Sequence, residues 1–346
     1  MKRVLRYLVY ASGLLALWRY LHRKQITILM LHGVAGENAG ARWRPLWERM
    51  PASKLDAMLG VLGRYYRFLS LDEAVDILAG RKPPVDYGLV LTFDDGYRNN
   101  VTEAVPVLKA HGASATLFVA TGFVETGRAY WIDRLDYALQ HAPDSARDLQ
   151  SGELRFDLRG RDRAGLVAGY RDLRLEVKKA CPDDETMLRV LDELATQLES
   201  AAGTTIADVI FDDPYVSIAS WAELARAAEE GMTIGSHTRD HTRLAAIPRD
   251  EVDEQLTESR RELGERLGRE CRYFAYPNGS LDDYVMERVA AAGYAAALST
   301  RAGLNRIGEN LYALRRFASP VMRAPAEVLV EISGILESSL FRRLRA

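Results

Sequence analysis

The sequence predicts an α/β fold whose mostly parallel sheet closes into a barrel. Short apolar runs recur along the chain, helical patterns separate them, and the alternation repeats through the greater part of the sequence. Strands that alternate with helices indicate βαβ units, and this many units favour a barrel over an open sheet. The chain has 346 residues, of which 48% are hydrophobic and 27% charged, so it can bury a sizeable core.

The predicted strands are apolar runs bounded by polar or turn-forming residues. They span residues 26–34, 66–71, 88–93, 115–121, 232–237, 272–277, 294–300 and 312–319. Helical patterns lie between them at residues 52–64, 71–78, 102–111, 220–230, 249–269 and 282–292. Gly293 follows the last helix and is typical of a helix stop. We therefore predict a barrel domain over residues 26–320.

The alternation breaks down between residues 142 and 215, where the charge density rises. GELRFDLRGRDR (152–163) alternates like a small hairpin, and residues 171–199 have the pattern of polar helices. We predict a mainly helical insertion in the barrel. A lid, a partner surface and a substrate rim are all open as its role.

Both ends of the chain are basic and partly apolar. In residues 1–25, basic residues flank an apolar stretch, Tyr7 to Trp18, that is short for a membrane span, which needs ~20 apolar residues. No clear small-x-small cleavage site follows it, so we predict a basic amphipathic helix rather than a signal peptide. The predicted C-terminal helix, 321–346, has a similar character. Peripheral membrane contact and docking on the core are both open for these segments.

Composition excludes some classes of protein. The formal net charge of -2 gives no general attraction to nucleic acid, so we expect no nucleic-acid partner. Cys181 and Cys271 are far apart and make no disulfide framework. The lack of a clear signal favours the cytoplasm or its membrane surface, and the extracytoplasmic side stays open, as does the oligomeric state.

Polar side chains follow several predicted strands. Asp94 and Asp95 come after LTF, His237 after TIGS, and His32 after LML, while FAY precedes the Pro-Asn-Gly turn at 277–279. In a parallel α/β fold, ligands bind at the carboxyl ends of the strands, so we expect these residues to meet at one edge. They are the residue types of metal sites and acid–base catalysis.

His237 and His241, four residues apart, can face one centre if the segment turns like a helix. With one carboxylate they make a three-ligand site that leaves positions open on a catalytic ion. The adjacent carboxylates of Asp94 and Asp95 repel each other, and a bound cation removes that cost. One of them can then bind the ion while the other acts as a base. Taken singly, the histidine pair also fits a surface or capping role, and Asp-Asp-Gly fits a turn.

Three motifs, TFDDG (92–96), SHTRDH (236–241) and FAYPNG (274–279), occur in this order. Together they closely resemble the polysaccharide deacetylases of carbohydrate esterase family 4, which have a nodulation-type deacetylase domain. The resemblance covers about residues 26 to 319. It implies a distorted (β/α)₇-type barrel and a metal-dependent hydrolase that removes N-acetyl groups from amino sugars. The substrate it implies is a bacterial polysaccharide, such as an exopolysaccharide, or an envelope glycan.

The resemblance also implies roles for individual residues. Asp94 matches the catalytic base, and Asp95, His237 and His241 match the metal ligands. The backbone N–H of Asn278 matches the donor to the oxyanion. The ion is a divalent metal, with Zn²⁺ the first choice and Co²⁺, Ni²⁺ and Mn²⁺ open.

The sequence departs from the family pattern in places. Ala275 stands where many members have an arginine that positions the base, and LSTRAGLN (298–305) lacks the Asp-Trp pair of a fourth motif. Many members supply the general acid from a histidine late in the chain, but residues 312–319 contain none. His32 is therefore our candidate acid, with a histidine bonded in a strand-end turn as its alternative.

The candidate substrate-binding residues are Tyr276, Pro277, Trp131 and Arg316. The two aromatic rings suit the apolar faces of pyranoses, although Trp131 fits a core position equally well. Arg316, or its neighbour Arg315, could also replace the missing positioning arginine.

Two other functions remain open beside hydrolysis of a polysaccharide. One is deacetylation or deformylation of a lipid-linked amino sugar, which the basic, apolar N-terminus would suit. The other is a non-catalytic glycan-binding protein on a decayed deacetylase fold, which the departures at Ala275 and in residues 298–305 would suit.

Overall fold

The apolar runs form a single parallel sheet in the computed structural model, which describes residues 13–37, 43–319, 323–338 and 341. The strands are β1 (Thr27–Leu31), β2 (Val34–Ala35), β3 (Met50–Pro51), β4 (Arg67–Phe68), β5 (Gly88–Phe93), β6 (Ala115–Val119), β7 (Asp148–Ser151), β8 (Leu154–Asp157), β9 (Thr233–Ser236), β10 (Tyr273–Ala275), β11 (Ala296–Leu298) and β12 (Phe317–Ala318). Each predicted run contains one strand of the main, 8-stranded sheet.

The main sheet has the order β11-β10-β9-β6-β5-β1-β12, and β4 pairs with the start of β5. Its strand pairs are parallel; in β1, for example, Leu29 lies beside Leu91 of β5 and Phe317 of β12. Leu314, just before β12, bridges Leu298 of β11 and so joins the two ends of this order. The sheet therefore curls on itself, and the predicted α/β barrel is confirmed.

The helices are α1 (Leu14–Leu21), α2 (Ala52–Leu62), α3 (Leu71–Leu78), α4 (Val105–Ala110), α5 (Thr121–Thr126), α6 (Trp131–His141), α7 (Arg163–Ala180), α8 (Asp184–Ala202), α9 (Trp221–Glu229), α10 (Arg249–Leu267), α11 (Asp283–Ala291) and α12 (Pro325–Ile332). Ser70, Ser220 and Asp282 begin α3, α9 and α11, and each accepts a backbone N–H three residues on. The sequence pattern predicts neither α5, which has only 6 residues, nor α6.

Residues 148–202 form a helical layer with its own hydrophobic core. β7 and β8 pair as an antiparallel hairpin, and α7 and α8 follow. Their apolar side chains share a hydrophobic cluster with α6, Leu46 and Trp47. The predicted mainly helical insertion is therefore present, and its core also takes in elements outside residues 142–215.

α1 packs against the barrel along one face. Leu15 is buried, and the indole N–H of Trp18 donates to the Ser333 carbonyl at 2.9 Å. The first 12 residues of the predicted N-terminal segment, and much of the predicted C-terminal helix after Ser338, lie outside the described residues. Within the described ranges, no helix combines the length and the apolar character needed to cross the membrane.

Candidate active site

The two adjacent aspartates diverge where β5 ends. The Asp94 N–H donates to the Leu31 carbonyl of β1 at 3.0 Å, so the sheet ladder continues through Asp94. Asp95 then takes a left-handed backbone conformation with φ 77°, which is uncommon for a residue other than glycine. Gly96 follows with φ 73°, and a Cβ there would lie 2.9 Å from the Val119 side chain. The chain thus turns sharply between the two carboxylates.

Asp94 is buried and fully paired with Arg316. The guanidinium donates to both carboxylate oxygens, at 2.7 and 2.8 Å, and its Nε donates to the Ser299 carbonyl at 3.0 Å. Burial by itself would raise the pKa of Asp94, but the charge of the Arg316 guanidinium lowers it overall. Arg316, just before β12, therefore holds Asp94 in place, which is what we expect of a residue that compensates for the arginine missing at position 275.

Asp95, His237 and His241 converge on one point. Asp95 Oδ1 lies 3.7 Å from His237 Nε2 and 3.5 Å from His241 Nε2, and the ligand atoms of all three lie within 4.8 Å of one another. His237 Nδ1 lies 2.7 Å from the Ala275 carbonyl oxygen, which can only accept a hydrogen bond. Nδ1 therefore carries the proton, and the lone pair on Nε2 is free to bind a metal. Two imidazoles and a carboxylate at this spacing fit a divalent ion.

The protonation states also suit metal ligands. Burial lowers the pKa of His237 to about 4, so this imidazole is neutral at neutral pH. Burial alone would raise the pKa of Asp95, but the hydrogen bond to His241 and the nearby charge of His32 hold it well below its usual range. A neutral imidazole and an ionised carboxylate are the forms that bind metals.

The loop between the two histidines is locally strained. Thr238 and His241 have φ values of 63° and 56°. Hydrogen bonds hold the loop: His237 N–H donates to the Val119 carbonyl at 2.8 Å, and Thr242 N–H donates to Thr238 Oγ1 at 3.1 Å. Strain of this kind persists only where the surroundings fix it, and it is frequent at functional sites.

A cavity of about 360 Å³ joins the separate motifs. It is lined by His32, Asp94, Asp95, His237, His241 and Asn278, among others. His32 follows β1, and its ring is hydrogen-bonded to no described residue. Asn278 has φ 54°, and its backbone N–H likewise donates to no described residue. The structure thus brings the predicted base, ligands, acid and oxyanion donor together; their roles stay predictions.

The insertion, with α6 and Trp47 that share its core, supplies the opposite wall of this cavity, which we call the insertion wall. Trp131 of α6 and Arg174 and Lys178 of α7 line it together with Trp47. The sequence pattern does not reveal Arg174 and Lys178, because a charged pair four residues apart in a polar helix is typical of a solvated face. Only the packing of α7 beside the barrel directs that pair toward the site. Trp47 carries no signal in the sequence that points to the site.

The structure corrects part of the predicted substrate-binding set. Tyr276 is fully buried: its ring packs 5.1 Å from that of Phe274, and its hydroxyl donates to the Tyr312 carbonyl at 2.8 Å. Pro277 is buried in the same strand-end turn. Arg316 is buried behind Asp94, so it positions that carboxylate instead of contacting a sugar. Trp131 does line the cavity, and its contact with substrate stays a prediction.

Comparison with known proteins decides the family. The family model for polysaccharide deacetylases matches residues 81–161 and 184–297, which together exceed half of the chain. The chain belongs to the polysaccharide deacetylase family. It is thus a hydrolase of the class that acts on amide bonds of N-acetylated sugars. The match leaves out residues 162–183 of this deacetylase, the stretch that contains α7.

Relatives and solved structures agree with this assignment. This deacetylase is 20% identical over 304 residues to YxkH of Bacillus subtilis (strain 168), a protein named as a polysaccharide deacetylase. The match covers 87% of this chain and 74% of YxkH. The deacetylase PplD of Streptococcus pyogenes, solved with acetate, has a TM-score of 0.57 at 18% identity, with 89% of this chain and 98% of that chain covered. IcaB from Ammonifex degensii has a TM-score of 0.56 at 20% identity, with coverage of 89% and 97%. These structures share the fold.

Proposed function

We propose that this deacetylase is metal-dependent and removes N-acetyl groups from the amino sugars of a bacterial polysaccharide or envelope glycan. One observation carries the proposal: the ligand atoms of Asp95, His237 and His241 lie within 4.8 Å of one another, beside Asp94, whose own charge is paired elsewhere. A binding protein needs no such separation of two adjacent carboxylates, so the arrangement favours catalysis over a decayed fold.

The residues around the ligand set divide the work of amide hydrolysis. A divalent ion held by them would polarise the acetyl carbonyl and activate water. Asp94, ionised and fixed by Arg316, takes a proton from the attacking water, and the Asn278 N–H donates to the carbonyl oxygen as it becomes negative. His32 donates a proton to the amine nitrogen as the C–N bond breaks, which yields acetate and the free amino sugar.

The deciding experiment measures bound metal by mass spectrometry together with acetate release from N-acetylglucosamine oligomers. In wild type we expect one bound ion and acetate release, and in Asp95→Ala the loss of both. Asp172→Ala, an exposed change on α7, serves as the matched control and should keep both. If neither protein binds an ion after metal is added, the proposal is wrong.

The donor set restricts the ion without fixing it. Two imidazoles and one carboxylate suit Zn²⁺ first, and also Co²⁺, Ni²⁺ and Mn²⁺. Reconstitution of the metal-free protein with each ion in turn, followed by acetate release, would rank them. We expect Zn²⁺ or Co²⁺ to restore the highest rate.

A lipid-linked amino sugar is a second candidate substrate, and α1 is the observation in its favour. Leu14, Leu17 and Leu21 form an exposed apolar row beside the face on which Leu15 and Trp18 pack against the barrel. A basic helix with such a row fits peripheral contact with a membrane surface, which would place the site near lipid-linked glycans. Sedimentation with phosphatidylglycerol vesicles tests this: Leu17→Ser together with Leu21→Ser should reduce binding of the full chain.

A further inference from the structure

Two cations of α7 line the cavity without a carboxylate partner among the described residues. Arg174 Cζ lies 4.2 Å from the ring centroid of Trp47 and 5.9 Å from that of Trp131. The Arg174 Nε is buried and has no hydrogen-bond partner in the part of the chain that the structure describes. Lys178, one turn further on, lies 5.5 Å from the Trp131 ring and, among the same residues, donates only to the side-chain oxygen of Asn278.

Arg174 and Lys178 are partly buried, whereas two fully buried cations of the cavity region have carboxylate partners. Arg316 has two bonds to Asp94, and Arg49 lies 2.6 Å from the carboxylate of Asp133. A buried cation without a counter-charge is costly, because it loses water and gains no partner. Arg174 and Lys178 therefore have unused capacity to bind an anion, directed at the space where substrate must lie.

The balance of charge on this wall is positive. Burial, and after it the neighbouring cations Arg174 and Arg243, lower the pKa of Lys178 to about 8. Glu48 also lines the cavity, but it is exposed to solvent. An incoming anion would relieve the repulsion between the two α7 cations and satisfy the free guanidinium.

We propose that Arg174 and Lys178 form an anion subsite, so that the preferred substrate is an N-acetylated glycan with a phosphate or carboxylate on or next to the acetylated sugar. This inference rests on the proposed function. A guanidinium matches both oxyanions through paired hydrogen bonds, and the rings of Trp47 and Trp131 offer flat surfaces for the sugar. Lys178 also bonds Asn278, which places the anion close to the reacting acetyl group.

The subsite lies in a part of the chain that the family model does not match. Residues 162–183 contain α7 with both cations, whereas the metal-ligand motifs fall inside the matched segments. The anion preference is therefore inferred for this chain from its own insertion, not for the family as a whole.

The test compares acetate release by the metal-loaded protein from three substrates: N-acetylglucosamine 1-phosphate, a disaccharide of N-acetylglucosamine and glucuronic acid, and neutral diacetylchitobiose. We expect kcat/KM to be about tenfold higher for at least one anionic substrate, as one charged hydrogen bond allows, and this preference to fall with added salt. The better of the two anions distinguishes a phosphate source from a uronic acid source.

Variants of α7 locate the preference. Arg174→Gln and Lys178→Gln should each lower the ratio of anionic to neutral kcat/KM by about five- to tenfold, and Arg174→Lys should retain part of it. Arg171→Gln is the matched control, because Arg171 is exposed on the same helix and pairs with Asp172. A purely structural role for Arg174 would lower the rates on all three substrates together and leave the ratio unchanged.

Equal rates on anionic and neutral substrates in wild type, or an unchanged ratio in the α7 variants, would overturn the subsite and leave the deacetylase proposal intact. If the metal-loaded protein releases no acetate from any substrate, the proposed function fails separately. Calorimetric titration with N-acetylglucosamine 1-phosphate and with N-acetylglucosamine then decides the subsite alone. The subsite is supported if wild type binds N-acetylglucosamine 1-phosphate more tightly than N-acetylglucosamine and Arg174→Gln loses this difference. It is refuted if wild type binds the two sugars equally.

Discussion

The two walls of the cavity handle charge in opposite ways. On the barrel wall, Asp94 is bound by Arg316 through both oxygens, and Asp95 lies within reach of two imidazoles. On the insertion wall, Arg174 and Lys178 have no carboxylate partner among the described residues. Groups that must hold one geometry during a reaction are fixed by several bonds to neighbouring residues. Groups that recognise a ligand have hydrogen-bond donors that are free to bind it.

The walls also differ in how they are built, and a buried network joins them. The barrel wall consists of strand ends in a single parallel sheet, and the insertion wall rests on a separate hydrophobic core. Asp133 of α6 accepts hydrogen bonds from Arg49 and from the Tyr97 hydroxyl, each at 2.6 Å. This network fixes α6, and so Trp131, relative to the turn that follows Asp95.

The largest effect should come from the barrel wall, at the base. Asp94→Asn should lower kcat for acetate release by about a thousandfold, because general base catalysis is lost. The bound ion should stay, since the ligand set is untouched, whereas Asp95→Asn should lose the ion itself. Metal analysis of both variants beside their kinetics checks this. If Asp94→Asn also loses its ion, the two neighbouring aspartates do not have separate roles.

The next effect concerns His32, on the same wall. His32→Gln should lower kcat on N-acetylglucosamine oligomers by about a hundredfold, because the amine leaves poorly without a proton. The rate on 4-nitrophenyl acetate should change little, since that leaving group needs no proton. Similar losses on both substrates would contradict the role of a general acid. His111→Gln is the control, because His111 is bonded to Asp56, away from the cavity.

The third prediction concerns the contribution of the Asp94–Arg316 ion pair to the free energy of unfolding. Arg316→Gln leaves Asp94 buried without its partner, and we expect the free energy of unfolding to fall by about 3 kcal/mol or more. Removal of that cation should also raise the pKa of Asp94, so the acidic limb of the kcat/KM profile should move to higher pH. Urea unfolding and a pH–rate profile measure the two effects.

The control for this prediction is the neighbouring arginine. Arg315 is partly exposed and lies 3.5 Å from Glu309, so Arg315→Gln should change stability by less than about 1 kcal/mol. If Arg316→Gln and Arg315→Gln lower the free energy of unfolding equally, the buried Asp94–Arg316 pair stabilises the fold no more than an exposed ion pair does.

The last effect concerns the pH dependence of stability, through Asp136 of α6. Its carboxylate accepts the N–H groups of Leu46 and Trp47, at 2.7 and 3.3 Å, and burial raises its pKa to about 7. Between about pH 4 and pH 7 the folded chain therefore holds a proton that the unfolded chain has lost. Stability should fall as pH rises through this window, by up to about 1.4 kcal/mol per pH unit.

Asp136→Asn should remove this slope, and unfolding in urea at three pH values inside the window measures it. Asp172→Asn, an exposed change on α7, should keep the slope of wild type. Parallel curves for wild type and Asp136→Asn would mean that Asp136 does not titrate in this window.

The sequence was sufficient wherever a pattern is local. Period and apolar character located each strand of the main sheet, and residue type at the strand ends located Asp94, Asp95, His237 and His241. It failed at Tyr276, which lies in a motif next to the site but points into the core. In a strand, adjacent side chains alternate between faces, and the pattern does not say which face the cavity takes.

Arg316 is a second residue whose burial the sequence pattern does not reveal. Its sequence context, two adjacent arginines before a short strand, does not distinguish a surface pair from a buried partner of Asp94. That distinction depends on β12 pairing with β1, a contact between residues far apart in the chain. On the insertion wall the sequence indicated Trp131 but neither Arg174 nor Lys178, because the position of α7 is set by the packing of a second core against α6.

The sequence by itself determined the α/β barrel, the positions of its main strands along the chain, and the residue types at the strand ends, because parallel strands bring their carboxyl ends to one edge. Only the tertiary structure decided which arginine holds Asp94, which aromatic rings reach the cavity, and that two cations of α7 line the same cavity as Asp95, His237 and His241. Those contacts join distant segments, and they depend on how two hydrophobic cores pack against each other.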